Sequence, residues 1–257
     1  MTDQWADLAD QFVDVHYGSL RGRVRTHVVD RQLSWHMPRG SSNVVDVGGG
    51  AGNQSIPLAR IGHRVTIVDS SPAMLGRAED ALALESKEVS ERVRLVLSKG
   101  EDAPRALDGE MFDGVLCHGV IMYVPDPEAM VVSIAQLARP GGLVSIVAKN
   151  AASMATRPAL RGDWAAALEG FDQRHQTNGL GVDTVAHTLD EIDQMLRSSG
   201  VDLVAWYGVR LFTDGWVRGM PEGDDEDLVM AVELEASRRD PYRQMSRLLH
   251  VVGVRAS

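Results

Sequence analysis

One stretch constrains the fold more than any other: Val44-Val45-Asp46-Val47-Gly48-Gly49-Gly50-Ala51-Gly52-Asn53. A short β-branched run carries Asp46 and enters a turn with glycines at 48, 50 and 52. Seventeen residues past Gly52, a second apolar run, residues 65–68, ends at another acid, Asp69. Strand, glycine turn, helix, strand and acid is the order by which open α/β sheets hold a nucleoside at the carboxyl ends of their strands. Glycines let the backbone approach the ligand, and the second acid accepts hydrogen bonds from ribose hydroxyls. The bland alternative is a tight strand-to-helix connection with no ligand.

The spacing separates two cofactor classes. A dinucleotide turn reads Gly-x-Gly-x-x-Gly, with the pyrophosphate on a helix N-terminus. Here the last glycine falls one residue early, and position 53 is Asn. Asp46, two residues before Gly48, would repel a pyrophosphate but suits a ligand with an ammonium group. S-adenosylmethionine carries an ammonium, a sulfonium and an adenosine. The stretch resembles the first motif of class I S-adenosylmethionine-dependent methyltransferases, acid-x-Gly-x-Gly-x-Gly. Asp46, Gly48, Gly49, Gly50, Gly52 and Asp69 are the cofactor positions this implies, with Ser70 and Met74 just beyond.

A chain of 257 residues can bury one full α/β core, and we expect a single domain over 1–257. Cys117 is the single cysteine, so no intramolecular disulfide framework exists, and its apolar surroundings suit a buried filler. No early basic-plus-apolar leader and no run of eighteen apolar residues is present, so a cytoplasmic location away from membranes is expected. A net charge of −10 argues against broad non-specific nucleic-acid binding without excluding a local basic patch. No metal-ligand pattern stands out.

The rest of the chain alternates strand and helix. Residues 3–36 read as helical, with Trp5, Leu8, Phe12, Val24, Val28 and Leu33 at helical spacing and breaks at Gly18 and Gly22. The helical segment is taken as 1–40. Strands are expected at 44–47, 65–68, 93–97, 114–118 and 143–148. Helices are expected at 53–60, from Ser70-Ser71-Pro72 to about 85, and at 128–138 up to Pro140-Gly141-Gly142. This order predicts a mostly parallel sheet covered on both faces. Residues 151–187 break the rhythm, show no clear strand, and read as a partly helical insertion lying over the site as a lid. A helix over 188–199, strands over 201–212 and 248–254, and a helix over 226–239 complete the chain. The class I resemblance implies a seven-stranded Rossmann-like sheet with an antiparallel last strand. The acid-rich stretch 222–227 reads as a solvated loop and helix start.

Later positions extend the cofactor site. After the third strand comes Gly100-Glu101-Asp102, and an acid there can accept from the adenine amine; Asp102 is the choice, with a surface acid as the alternative. His118 ends the fourth strand, where sites gather, as a cofactor contact or a substrate-facing group; a satisfied rim histidine is the alternative.

A closer resemblance covers most of the chain. Tyr17-Gly18-Ser19-Leu20-Arg21-Gly22-Arg23-Val24-Arg25, the turn at 46–52, His118, Lys149-Asn150-Ala151, Gly208-Val209-Arg210-Leu211-Phe212, Asp240-Pro241-Tyr242 and Arg247-Leu248-Leu249-His250-Val251 are similar to the tRNA 5-carboxymethoxyuridine methyltransferase family. That resemblance implies Arg25 on the cofactor carboxylate, Gly48 and Gly49 along its methionine portion, Asp69 on the ribose and Gly100 at the adenine edge. It implies methyl esterification of a carboxymethoxy group on the wobble uridine. The family can carry a run of lysines in the insertion, whereas residues 170–187 hold only Arg174, His175 and His187. Phosphate contacts would then fall to Arg21, Arg23, Arg238, Arg239, Arg243 and Arg247.

A carboxylate nucleophile is already ionised and needs a cation to hold it rather than a base. Arg210 and Lys149, with Tyr123 as a hydroxyl donor, are the candidates, alongside His118. A phenol or amine acceptor would require a base, for which His118 or His175 is placed. The acceptor is thus tRNA or a small metabolite. A silent cofactor-binding module is opposed by Asp46, Asp69 and Asp102, and a dehydrogenase by the glycine spacing.

Overall fold

The structure is a computed structural model that describes residues 8–9, 18–215 and 225–257. The expected helical positions Trp5 and Phe12, Tyr17 of the N-terminal signature, and the acids at 222–224 lie outside these residues. Seven strands form the main sheet in the order β3-β2-β1-β4-β5-β9-β8. They are β1 (Asn43–Val47), β2 (Arg64–Asp69), β3 (Val93–Leu97), β4 (Phe112–His118), β5 (Ala138–Lys149), β8 (Val201–Val209) and β9 (Leu248–Arg255). β1 pairs in parallel with β2 and β4, and β4 in parallel with β5. β9 inserts antiparallel between β5 and β8. The β-branched runs Val44-Val45 and Ile67-Val68 are fully buried, as a doubly covered sheet requires.

Helices cover both faces. α1 (Leu20–Ser34), α2 (Ser55–Arg60), α3 (Pro72–Ala83) and α10 (Glu226–Ala236) border one apolar cluster, and α6 (Pro127–Leu137) and α9 (Leu189–Ser198) border another. Short helices α4 (Lys87–Ser90), α5 (Ala103–Ala106), α7 (Thr156–Leu160) and α8 (Trp164–Glu169) fill the connections. Ser71 caps α3 by accepting from Met74 N, with Pro72 in the first turn. Thr188 and Glu191 form a reciprocal capping box on α9.

Several expected boundaries move. Gly22 does not break a helix: it lies inside α1, where its N–H satisfies the cap Ser19. The helix before β5 stops at Leu137, because Ala138 already pairs with Phe112 and Pro140-Gly141-Gly142 enter the strand. α3 ends at Ala83, α10 ends at Ala236, and β8 ends at Val209, where Arg210 takes φ 62°. The insertion holds a hairpin the sequence concealed, β6 (His175–Thr177) with β7 (Asp183–Val185). Strands of three residues, five of the six polar, are too short to show an apolar alternation. This hairpin docks at the carboxyl end of the sheet: Val185 N donates to Met122 O, and His187 N to Lys149 O.

Candidate active site

Asp46, Asp69, His118 and Lys149 all stand at the carboxyl ends of neighbouring parallel strands, with Gly100 just after β3. Gly48 has φ 74°, and a Cβ there would lie 2.3 Å from Val120 Cγ2. At Gly49 a Cβ would lie 2.8 Å from Asp46 Cγ, so the turn is bare backbone laid over a carboxylate. Asp46 is fully buried, and its Oδ2 accepts from Ser55 Oγ at 2.7 Å. Burial pushes its pKa up to about 6, against the opposing pull of Ser55 and Arg25. A buried carboxylate beneath such a cradle fits a cationic ligand and disfavours a pyrophosphate.

Asp69 turns its two oxygens to backbone donors, Gly50 N and Ser71 N, each at 2.9 Å. Ser70 is exposed beside it, and Met74 packs with Ala51 and Ala9 over the turn. Glu101 and Asp102 are both exposed on the 3₁₀ turn after β3, and Asp102 pairs with Arg105 at 3.2 Å. Burial drives up the pKa of the buried Cys117 thiol, with Asp46 and Glu101 adding to it.

Arg25 and His118 meet at the end of β4. Arg25 Nη2 donates to the His118 carbonyl at 3.2 Å, and both residues are buried. His118 belongs to a buried polar chain whose protons the network assigns. Gln32 Nε2 donates to Gly208 O, so Gln32 Oε1 accepts from His250 Nδ1 at 2.6 Å. Burial, with His36 and Arg25, pushes the His250 pKa down to about 3, leaving its Nε2 an acceptor. Ser145 Oγ donates to that nitrogen at 2.7 Å and accepts from His118 Nε2 at 2.8 Å. His118 is also held neutral by burial, His250 and Arg25, so its Nδ1 is a bare lone pair, buried and without a partner. Gln32, Ser145 and His250 escaped sequence reading because they lie on three separate elements.

The other candidates divide. Lys149 is buried, and its Nζ donates to Thr184 Oγ1 of the hairpin at 2.7 Å. Burial, Arg247 and Arg157 lower its pKa to about 7. Tyr123 OH receives Asn178 Nδ2 at 3.2 Å. Arg210 pairs with Asp214, and both are buried. His175 is exposed on β6, in a cleft with Glu128 and Glu191, so it does not join the strand-end site as a base. Of the six arginines expected for phosphate, four are tied to nearby acids: Arg23 to Glu226, Arg238 and Arg239 to Glu235, and Arg243 to Asp240. Arg21 and Arg247 instead converge with Arg157, Arg161 and Arg210 around Asp214. Arg157 and Arg161, one turn apart in and after α7, were missed; their i, i+4 spacing was the available signal. Among the described residues no group of three or more His, Cys, Asp or Glu could hold a metal, and no helix is long and apolar enough to cross a membrane.

Comparison with known proteins agrees with this geometry. A family model described as a methyltransferase domain matches residues 45–146. The tRNA 5-carboxymethoxyuridine methyltransferase of Escherichia coli strain K12 is 27% identical over 95% of this chain and 93% of its own length. A ubiquinone biosynthesis O-methyltransferase of Xanthomonas campestris is 35% identical, but over 42% of this chain and 44% of its own. The glycopeptide N-methyltransferase MtfA, solved with S-adenosylmethionine, superposes with TM-score 0.57 at 17% identity, over 90% of this chain and 94% of its own. A chain of the Haloferax volcanii complex with the Trm112 methyltransferase activator gives TM-score 0.66 at 18% identity, with full coverage of both chains. With its cradle of glycines over a buried acid and its β9 turned antiparallel, the chain has the class I methyltransferase fold and carries a methyltransferase domain over residues 45–146.

Proposed function

We propose that the chain methylates the carboxylate of a carboxymethoxyuridine at the wobble position of tRNA. The observation that carries this is the similarity to the Escherichia coli enzyme of that name across 95% of the chain, acceptor half included. The similarity to small-molecule enzymes such as the ubiquinone methyltransferase stops at less than half of the chain. The acceptor half is also where buried arginines gather, as an anionic acceptor demands. On the insertion, Trp164 and Phe171 are 71% and 78% exposed, offering rings on which unstacked anticodon bases can lie.

S-adenosylmethionine, when bound, supplies a methyl group on a positively charged sulfur. Gly48 and Gly49 would lie along its methionine portion, Arg25 would take its carboxylate, and Asp46 would balance its ammonium from beneath the turn. Asp69 would hold the ribose, and Gly100 with Glu101 the adenine edge. An ionised acceptor carboxylate has no proton to lose, so the residues' task is to hold it in line and exclude water. Arg210 and its neighbouring guanidiniums would hold the anion, and Tyr123 and Lys149 brace the hairpin that closes over it. The neutral His118, with its proton fixed on Nε2, serves as a rigid wall rather than a proton carrier.

Incubation with labelled cofactor, tRNA bearing carboxymethoxyuridine and a small-molecule extract tests the assignment. Label entering the tRNA in a base-labile ester is expected. Label confined to small molecules would overturn it.

A further inference from the structure

The arginines around Asp214 form a cleft whose charges do not balance. Arg157 from α7, Arg210 after β8 and Arg247 before β9 line it with Asp214. Arg21 of α1 and Arg161 add their fields to the same group. Among the described residues that line it, Asp214 is the one carboxylate. Glu233 accepts from Leu211 N, Thr213 N and Thr213 Oγ1 rather than from the cleft guanidiniums.

Three guanidinium donors point at nothing. Arg157 Nε, Arg210 Nε and Arg247 Nη1 are buried without a hydrogen-bond partner. Each such donor costs about 1–3 kcal/mol, more when charged, so a fold keeps several only where something else repays them. Arg210 is also held at φ 62°, a left-handed conformation that a non-glycine residue adopts at a cost of about 1–3 kcal/mol. Burial lowers the Arg157 pKa to about 10 against the opposing pull of Asp214, with Arg161, Arg247 and Arg210 adding smaller repulsions. The free space in the cleft is about 10 Å³, room for roughly one water. An oxyanion cannot be added to it; an oxyanion must take the place that the Asp214 carboxylate holds.

We propose that this cleft is the anion site for the methyl acceptor, and that Asp214 is an internal stand-in for a carboxylate or phosphate group that displaces it. The cleft adjoins the methyl-transfer site: Arg247 N donates to Arg210 O, Asn150 N donates to Arg247 O, and Lys149 precedes Asn150 at the end of β5. The inference rests on the reading that the acceptor is anionic, and not on its being RNA. Glu233, gripping the backbone at 211 and 213, keeps the 210–214 turn in place.

The test is calorimetric titration of the whole chain, loaded with S-adenosylhomocysteine, by 5-carboxymethoxyuridine nucleoside and, separately, by uridine 5′-monophosphate. The first probe has the carboxylate without a phosphate, the second the reverse. Saturable binding of at least one is expected, weakened at least tenfold by Arg157→Ala and tightened severalfold by Asp214→Asn, with S-adenosylhomocysteine affinity unchanged. Binding of the nucleoside identifies the reacting carboxylate as the occupant; binding of the nucleotide alone identifies a backbone phosphate. No binding of either probe at about 1 mM, or binding indifferent to Arg157→Ala, overturns the proposal. Probe binding unaltered or weakened in folded Asp214→Asn overturns the stand-in role. If Asp214→Asn loses S-adenosylhomocysteine binding through misfolding, Arg157→Ala decides. A cleft that binds the probes in a protein that methylates no tRNA would fail the tRNA reading and leave the cleft standing. Normal methylation of tRNA by Arg157→Ala would do the opposite.

Discussion

The glycine turn and the arginine cleft both bury charge, with opposite signs and by opposite routes. At the turn, acids wait beneath bare backbone, and every part lies within 24 residues, from Asp46 to Asp69. At the cleft, guanidiniums wait around one acid, and the parts come from positions 21, 157, 161, 210 and 247. A cationic cofactor and an anionic acceptor call for that division. The contrast teaches that a site within one strand-turn-strand unit is written as a motif, while a site made of strand ends and an insertion is written as scattered residues.

The contrast can be broken by substitutions that should each hurt one half alone. Gly48→Val puts a side chain against Val120 and strains a left-handed residue. S-adenosylhomocysteine affinity should fall roughly a hundredfold, about 3 kcal/mol, by calorimetry. Affinity within about threefold of wild type would show that the turn does not cradle the ligand. Arg210→Ala should raise the acceptor Michaelis constant by roughly thirtyfold, about 2 kcal/mol, while cofactor affinity stays nearly constant. Equal loss of both would unite the two regions and reject the separate roles.

The buried chain through Ser145 joins the halves, since it runs from His118 of β4 to His250 of β9 and Gln32 of α1. Ser145→Ala leaves two imidazole nitrogens unpaired and should lower unfolding stability by about 2 kcal/mol in denaturant titration. A change under about 0.5 kcal/mol would mean the chain is not a structural link.

Asp46 supplies a further effect, one of pH. Its folded pKa is raised from 3.8 to about 6, so the ligand-free fold prefers the neutral acid and loses that preference as pH rises through 6. A bound cation reverses the preference, so cofactor binding releases a proton below pH 6. Affinity should climb up to about tenfold per pH unit from about pH 4 to 6 and then level off. Asp30, raised to about 7 by burial, titrates nearby, so the calorimetry belongs in an Asp30→Asn background. A flat profile there would remove Asp46 from the charge balance.

The turn and the five parallel strands were legible as short, mostly apolar runs between turn and helix signals, whereas the antiparallel last strand followed from the resemblance to class I methyltransferases. The hairpin at 175–185 was hidden because its strands are three residues long and mostly polar. His175 reads like His118 in a string of letters, but one sits on an exposed hairpin strand and the other at a buried strand end.

By itself the sequence determined the parallel strands, the glycine turn and the ligand class, because local spacing dictates which groups share a strand end. Only the tertiary structure decided which of the arginines are paired on the surface and which are pressed together around Asp214. Charge balance is a property of neighbours in space, and the cluster's members are separated by up to 226 positions in the chain.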